Sequence, residues 1–270
     1  MLDTHLHQGS SLHSHTPEVE LQLIAVASHD AGRHTLETLW QVCSHLQRLG
    51  YPVIVLDGTA AESEEAPGLQ DLLAHAPWGD SAFTLPVADA DAASLAVLPA
   101  AHGLHALASH AAYLPQPMQA IQPLFRQFAL VVLYAPVATL ASPLLAGSLA
   151  VPLLIMQPGQ NAVIDSYKQL KHLAVHGGLS GSVACVARSS TPALKDEVSK
   201  QLHSLRQCAA RHLGQQIGTM AIDADNAHDM QRLALQLLES AGTISSAPAY
   251  VVPPAHYPST GNATHFFQSH

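Results

Sequence analysis

Short apolar runs alternate along the chain with longer segments in which apolar residues recur every three or four positions. The runs predict strands at residues 21–27, 51–56, 95–98, 128–133, 151–156, 182–186 and 217–222. The periodic segments predict helices at 162–176, 192–212 and 226–240, and an earlier helix with Leu39, Val42, Cys43, Leu46 and Leu49 that ends at Gly50. This alternation is typical of repeated βα units, so we predict an α/β fold with a doubly wound, mainly parallel sheet flanked by helices.

Both ends of the chain lack this alternation. Residues 1–19 are rich in His and Ser, and the end of the chain contains Pro253-Pro254 and a Ser-Thr-Gly-Asn segment. We therefore predict one α/β domain at residues 20–240, with flexible tails at 1–19 and 241–270.

The stretch from residue 127 to residue 160 contains no charged residue and resembles a membrane span in composition alone. Four prolines divide it into short pieces: Pro136, Pro143, Pro152 and Pro158. A lipid-exposed helix tolerates such interruptions poorly, so we predict a strand, a helix and a second strand, all buried. The N-terminus has no secretory-signal layout.

Charge and cysteine content narrow the functional classes. The formal net charge is -9, and the chain has only 11 Lys and Arg residues, which argues against direct nucleic-acid binding. Cys43, Cys185 and Cys208 show no paired metal-ligand spacing and leave an odd thiol. We therefore expect a reducing compartment and a cytoplasmic protein.

Four segments carry a resemblance to a known family. LIAVASHDAGRHTLETLWQVCSHLQRLGYPVIVLDG, at 23–58, resembles the opening βαβ unit of the MinD/ParA family, with its deviant Walker loop. LAVLPAAHGL, at 95–104, resembles that family's third strand, and PGQNAVIDSYKQLKHL, at 158–173, resembles the segment after its fifth strand. The run at 207–233 is similar to the closing region of the flagellar-number regulators FlhG and FleN, with Asp225 at their Asp position. The resemblance implies a P-loop NTPase fold of the MinD/ParA type.

The loop that would bind phosphate departs from this pattern. A working loop needs several glycines, a Lys and a Ser or Thr hydroxyl for Mg²⁺. Here it reads SHDAGRHT: Gly32 is its single glycine, Asp30 is acidic, and no Lys occurs between residues 1 and 167. Arg33 and Thr35 are the candidate substitutes for the Lys and the metal ligand. We predict a vestigial nucleotide site made of Asp30, Gly32, Arg33, His34, Thr35 and Asp57, with no cofactor; the alternative is bound ATP and Mg²⁺.

The strand at 131–133 should lead into a switch segment. The resemblance implies Asp-Thr-Pro there, with the Asp serving the metal, but the chain has Tyr134-Ala135-Pro136. The family's base-contacting Asn is also replaced, because Val186-Ala187-Arg188 stands for Val-Asn-Arg. Asp57 is the surviving carboxylate: the resemblance implies that it positions the attacking water, and the alternative is a turn or capping role. We therefore predict no catalytic residue.

Other charged and metal-ligating residues receive plainer interpretations. The acidic run at 62–65 is interpreted as a solvated loop, with a partner contact as the alternative. The N-terminal histidines lack a carboxylate or thiolate partner, so we predict no metal site among them: His5, His7, His13 and His15. The C-terminal tail carries no Lys or Arg, so we expect no strong membrane anchor.

The replaced residues predict a non-catalytic regulatory or scaffold protein, a pseudo-ATPase, and the resemblance to FlhG and FleN implies that it acts in polar flagellum assembly and number control. The partners that the resemblance implies are an SRP-type flagellar GTPase or a flagellar transcription regulator, with recruitment to a cell pole through them, and a homodimer is compatible with it. One alternative is an active switch ATPase that dimerises on ATP and uses Arg33, Thr35 and Asp57. Another is a MinD-like accessory protein of a different envelope machine, such as cellulose secretion.

Overall fold

The computed structural model describes residues 20–28, 33–75, 95–112, 116–188 and 191–244, without the side chains of residues 33, 34, 112 and 160. The strands of this part of the chain are β1 (Leu21–Ser28), β2 (Val53–Asp57), β3 (Ala96–Pro99), β4 (Leu130–Pro136), β5 (Leu153–Met156), β6 (Ser182–Ala187), β7 (Gly218–Asp223) and β8 (Gly242–Ile244). Its α-helices are α1 (Arg33–Arg48), α2 (Leu69–His75), α3 (Ala101–Ser109), α4 (Val137–Leu140), α5 (Gln160–His172), α6 (Pro192–Leu213) and α7 (Ala227–Glu239).

The strands form a single sheet in the order β3-β2-β4-β1-β5-β6-β7. All neighbours along this order are parallel. β8 is antiparallel to the start of β1, with Ile244 opposite Leu21. The predicted α/β fold with a doubly wound, mainly parallel sheet is therefore confirmed. The sheet includes residues beyond position 240, whereas residues 1–19 and 245–270 lie outside the described part of the chain.

The central strands are apolar on both sides because helices cover both faces of the sheet. In β4, Val131 and Leu133 contribute to one core cluster, and Leu130 and Val132 contribute to the other. The first cluster contains residues of α2, α3, α5 and α6, and the second contains residues of α1 and α7. Removal of these aliphatic side chains from water is the main force that holds the three layers together.

The predicted strands and helices agree with the observed ones to within about two residues at most boundaries. α1 ends at Arg48, and Gly50, with a φ of 91°, makes the left-handed turn that leads into β2. Helices α2 and α3 and strand β8 were not predicted.

The uncharged stretch forms β4, the short α4, a 3₁₀ turn at Pro143–Leu145 and β5. The strand–helix–strand prediction is confirmed for this region. The prediction that all of it is buried was wrong, because Leu149, in the connection before β5, is 87% exposed. Among the described residues, no helix combines the length and apolarity needed to cross a membrane.

Candidate functional site

The carboxyl ends of the parallel strands meet along one edge of the sheet, where α/β proteins bind ligands. β4 lies between β2 and β1, with Asp57 in register with Tyr134 and Ser28 in register with Pro136. The fold therefore brings the predicted switch-like segment Tyr134-Ala135-Pro136 between Asp57 and the start of the predicted phosphate loop.

The predicted loop itself is described only in part. Asp30 and Gly32 lie outside the described residues. Arg33 and His34 form the first positions of α1, but their side chains are not among those described. Thr35 is buried, with an exposed fraction of 5%, so little of this proposed metal ligand is open to a bound ion.

Tyr134 places a phenol at the end of β4. It is 3% exposed and packs in the same core cluster as Val26 and Leu39. Burial raises the pKa of Tyr134, and the nearby carboxylate of Asp57 raises it further. The side chain is therefore a neutral phenol, which is a poor ligand for Mg²⁺ compared with a carboxylate. Ala135, fully buried, belongs to the core cluster on the opposite face.

Asp57 closes a turn. Its Oδ1 accepts hydrogen bonds from the backbone N–H of Thr59 at 2.9 Å and from the Thr59 hydroxyl at 2.6 Å. The next residue, Gly58, donates its N–H to the carbonyl oxygen of Tyr134 at 2.7 Å. A β-carbon on Gly58 would lie 2.8 Å from the β-carbon of Ala135, so the turn is pressed against β4. These contacts favour the turn interpretation of Asp57.

Glu62 departs from the solvated-loop interpretation. Its side chain is 3% exposed, and its carboxylate accepts hydrogen bonds from the backbone N–H groups of His102 at 2.7 Å and Gly103 at 2.8 Å. Burial acts to raise the pKa of Glu62, but these backbone hydrogen bonds outweigh it and hold the pKa below its usual value. The interpretation was wrong for this residue because α3, whose first N–H groups need an acceptor, was not predicted. Glu64 and Glu65 are exposed.

A cavity of about 310 Å³ lies between α1 and the carboxyl ends of β5, β6 and β7. Its lining residues come from these four elements, their following loops and the start of α6: Glu37, Thr38, Gln41, Gln157, Pro158, Val186, Ala187, Arg188, Leu194 and Ala224. Arg188 forms an ion pair with Glu37. The Oε1 atom of Gln41 is buried and has no hydrogen-bond partner within the described part of the chain.

The sequence indicated part of this cavity. The resemblance implied a base contact at Val186-Ala187-Arg188, and these residues line the cavity together with Gln157 and Pro158. The wall contributed by α1 was not predicted. Glu37 and Gln41 lie four residues apart and so on one face of α1, but the sequence does not show what that face packs against.

Two groups of residues lie at this edge of the sheet, on either side of β1 and α1. On one side, Asp57 has a carboxylate and Tyr134 has a neutral phenol. On the other side, the cavity is lined by both apolar and polar side chains, including Gln41 and the Glu37–Arg188 ion pair. Among the described residues, no group of three or more His, Cys, Asp or Glu side chains could hold a metal ion. The four N-terminal histidines lie outside these residues.

Comparison with known proteins gives matches at the level of structure. A scan against protein-family models and a search of curated proteins each find no match. The MinC:MinD cell division protein complex of Aquifex aeolicus matches with a TM-score of 0.55 and 14% identity, over 84% of this chain and 98% of that chain. Cobyrinic acid a,c-diamide synthase from Mycobacterium smegmatis, solved with bound ADP and magnesium, matches with a TM-score of 0.51 and 16% identity, over 81% of this chain and 94% of that chain. With its parallel sheet and flanking helices, the chain has the MinD/ParA P-loop NTPase fold.

Proposed function

We propose that this chain is a pseudo-ATPase of the MinD type, a non-catalytic regulator or scaffold that acts through protein partners in polar flagellum assembly and number control. The observation that carries the proposal is Tyr134. Where the family resemblance implies a carboxylate for magnesium, the chain has a buried phenol next to Asp57.

Electrostatics supports the loss of triphosphate binding. A nucleotide with Mg²⁺ needs cations and backbone N–H groups to replace its water shell. The loop at 28–35 contains acidic Asp30 and one glycine, and the first Lys of the chain is Lys168. Arg33 supplies a planar guanidinium, which does not reproduce a compact ammonium group at a P-loop.

The segment after β2 is tied to its neighbours, which supports a fixed scaffold over a nucleotide-driven switch. Gly58 is hydrogen-bonded to β4, and Glu62 binds the N-terminus of α3. The N–H of Ala100 donates to the carbonyl oxygens of Asp57 and Ala60. A switch that releases on loss of the γ-phosphate would have to break these contacts.

The catalytic half of the proposal is tested by phosphate release from Mg-ATP. We expect the wild-type chain and a chain carrying Asp57→Ala to release phosphate at the same background rate. Release that is well above background and falls in the Asp57→Ala variant would establish a working ATPase.

The partner half rests on the resemblance of residues 207–233 to FlhG and FleN, and on the fact that the matched MinD structure is a complex with another protein, MinC. The proposal expects the purified chain to bind the source organism's SRP-type flagellar GTPase or its flagellar transcription regulator. It also expects deletion of the gene to change the number of polar flagella per cell. An unchanged flagellar number together with lost cellulose secretion would instead place the chain in that envelope machine.

A second function, nucleotide binding by a switch ATPase with a rearranged loop, is favoured by one observation. Gln41 lines the cavity beside α1, its buried Oε1 has no hydrogen-bond partner among the described residues, and a nucleobase carries N–H donors. Calorimetric titration with Mg-ATP decides between the two. Binding that weakens in Gln41→Ala but not in Gln231→Ala, an exposed position on α7, would favour this second function, and no binding supports the first.

A further inference from the structure

Two histidines that play no part in the proposed function lie together at the end of α5. His172 is the last residue of α5, and His176 lies in the π-helical turn Leu173–Gly177 that continues it. Their imidazole rings are 4.4 Å apart between centroids, with an angle of 41° between ring planes.

The spacing of the two histidines explains why the rings meet. Residues four apart on a helix are neighbours on one face, because 3.6 residues complete a turn of an α-helix. The π-helical turn that contains His176 is of a rare kind that occurs frequently at functional sites, which makes the pair a candidate for chemistry.

The surrounding packing holds the turn in place. Leu173, between the two histidines, is fully buried. A β-carbon on Gly177 would lie 3.1 Å from the α-carbon of Ala141, so the turn rests closely on the segment after α4. Gly178 ends the turn with a φ of 63°, in the left-handed region. His172 is half-buried and His176 is exposed, which leaves the pair accessible from solvent.

We propose that His172 and His176 form a bidentate site for a late first-row divalent cation such as Ni²⁺, Cu²⁺ or Zn²⁺. Imidazole nitrogen suits these ions, whereas Mg²⁺ and Ca²⁺ prefer oxygen ligands. With metal–nitrogen bonds of about 2.0–2.1 Å, one nitrogen from each of two rings this close can bind the same ion at adjacent positions. Water completes the coordination.

Some of the charges near the two histidines favour a bound cation, and others oppose it. The C-terminal end of a helix favours a cation, and the chain as a whole is acidic, with a formal net charge of -9. Lys171, in the same turn as His172, opposes a cation. The Nζ atom of Lys168 lies 3.0 Å from Oδ1 of Asp165, and this ion pair reduces the repulsion between Lys168 and a bound cation. The chelate formed by the two rings is what makes binding exceed that of a lone surface histidine.

The test is a calorimetric titration of the full-length chain with Ni²⁺ at pH 8, since ligation requires neutral imidazole. The parent for all variants carries the substitutions His5→Asn, His7→Asn, His13→Asn and His15→Asn, which remove competition from the N-terminal histidines. His172→Asn and His176→Asn are compared, singly and together, with His203→Asn, an exposed histidine on α6.

A chelate makes a distinctive prediction. Each single variant should lose roughly tenfold or more in Ni²⁺ affinity, and the double variant should lose little beyond either single one, because one imidazole alone is already a weak ligand. His203→Asn should bind as the parent does, and Mg²⁺ should not compete. Affinity that is unchanged in both single variants, or equal losses in His203→Asn, would mean adventitious binding only and would overturn the proposal.

Discussion

The phenol of Tyr134 and the carboxylate of Asp57 are neighbours because β4 and β2 pair in parallel, residue against residue. Burial raises the pKa of the Tyr134 phenol, and the carboxylate of Asp57 raises it further because it disfavours a second negative charge beside it. At the scale of single residues, a neutral phenol at this position is a poorer ligand for Mg²⁺ than the carboxylate that the family resemblance implies.

The pair predicts a measurable titration. Tyr134 should ionise above the ordinary tyrosine value of about 10, and Asp57→Asn should bring its pKa down, whereas Glu64→Gln should not. The signal is the ring-carbon NMR resonance of Tyr134 as pH is raised. The pKa of Tyr134 is higher in the folded protein than in the unfolded chain. Its contribution to the free energy of unfolding is therefore complete below the pKa of the unfolded chain and is lost as pH rises through the pKa of the folded protein. An ordinary pKa for Tyr134 that does not change in the Asp57→Asn variant would contradict the observed geometry.

Glu62 predicts a loss of stability at a residue within an acidic run. Glu62→Ala should lower the free energy of unfolding by about 1.5–3 kcal/mol, because charge-assisted hydrogen bonds to the first turn of α3 are removed. Glu64→Ala, an exposed neighbour, should change it by less than about 0.5 kcal/mol. Urea denaturation of the three proteins makes the comparison.

The same residue gives a pH dependence of known sign. The folded pKa of Glu62 is lowered, so its contribution is complete above the unfolded Glu value of about 4.3 and is lost as pH falls through the folded value. The stability difference between wild type and Glu62→Ala should therefore shrink in acid. A difference that stays constant from pH 7 to pH 3 would exclude the carboxylate as its source.

At the scale of elements, the sequence predicts the longer buried strands and helices. It misses elements that are short or whose first N–H groups are bound by a residue distant in the sequence. β1, β4 and β6 are largely apolar runs, so their positions are plain from the sequence pattern. β8 has three residues, Gly242–Ile244, too few for a period to emerge. α3 was missed because its first turn contains Gly103 and no capping side chain of its own; its acceptor, Glu62, lies about forty residues earlier.

The contact between the β2 turn and β4 predicts a steric effect. Gly58→Ala would place a β-carbon 2.8 Å from both Ala135 and Leu104, and such overpacking costs about 1–3 kcal/mol of unfolding free energy. Gly218→Ala in β7 is the matched control, since its nearest neighbour would be 3.6 Å away and its backbone is extended. Equal stabilities of the two variants would show that the turn is not pressed against β4.

At the scale of the whole molecule, the fold was accessible from the sequence, and the site was accessible in part. Parallel strands end at a common edge, which is why Asp57 and Tyr134 could be expected to meet. The position of Gln41 and Glu37 in a cavity could not be predicted from the sequence, because it depends on how α1 packs over β5 and β6. The same fold occurs in a cell division complex and in a cobyrinic acid synthase, so the architecture does not fix the activity.

We predict that this edge of the sheet does not hold a magnesium nucleotide. Thermal unfolding of the 270-residue chain with and without millimolar Mg-ATP tests this prediction. A ligand present at a hundred times its dissociation constant adds about 2.7 kcal/mol to the free energy of unfolding. We expect a melting temperature that Mg-ATP leaves unchanged. A rise that requires both magnesium and the γ-phosphate would contradict it.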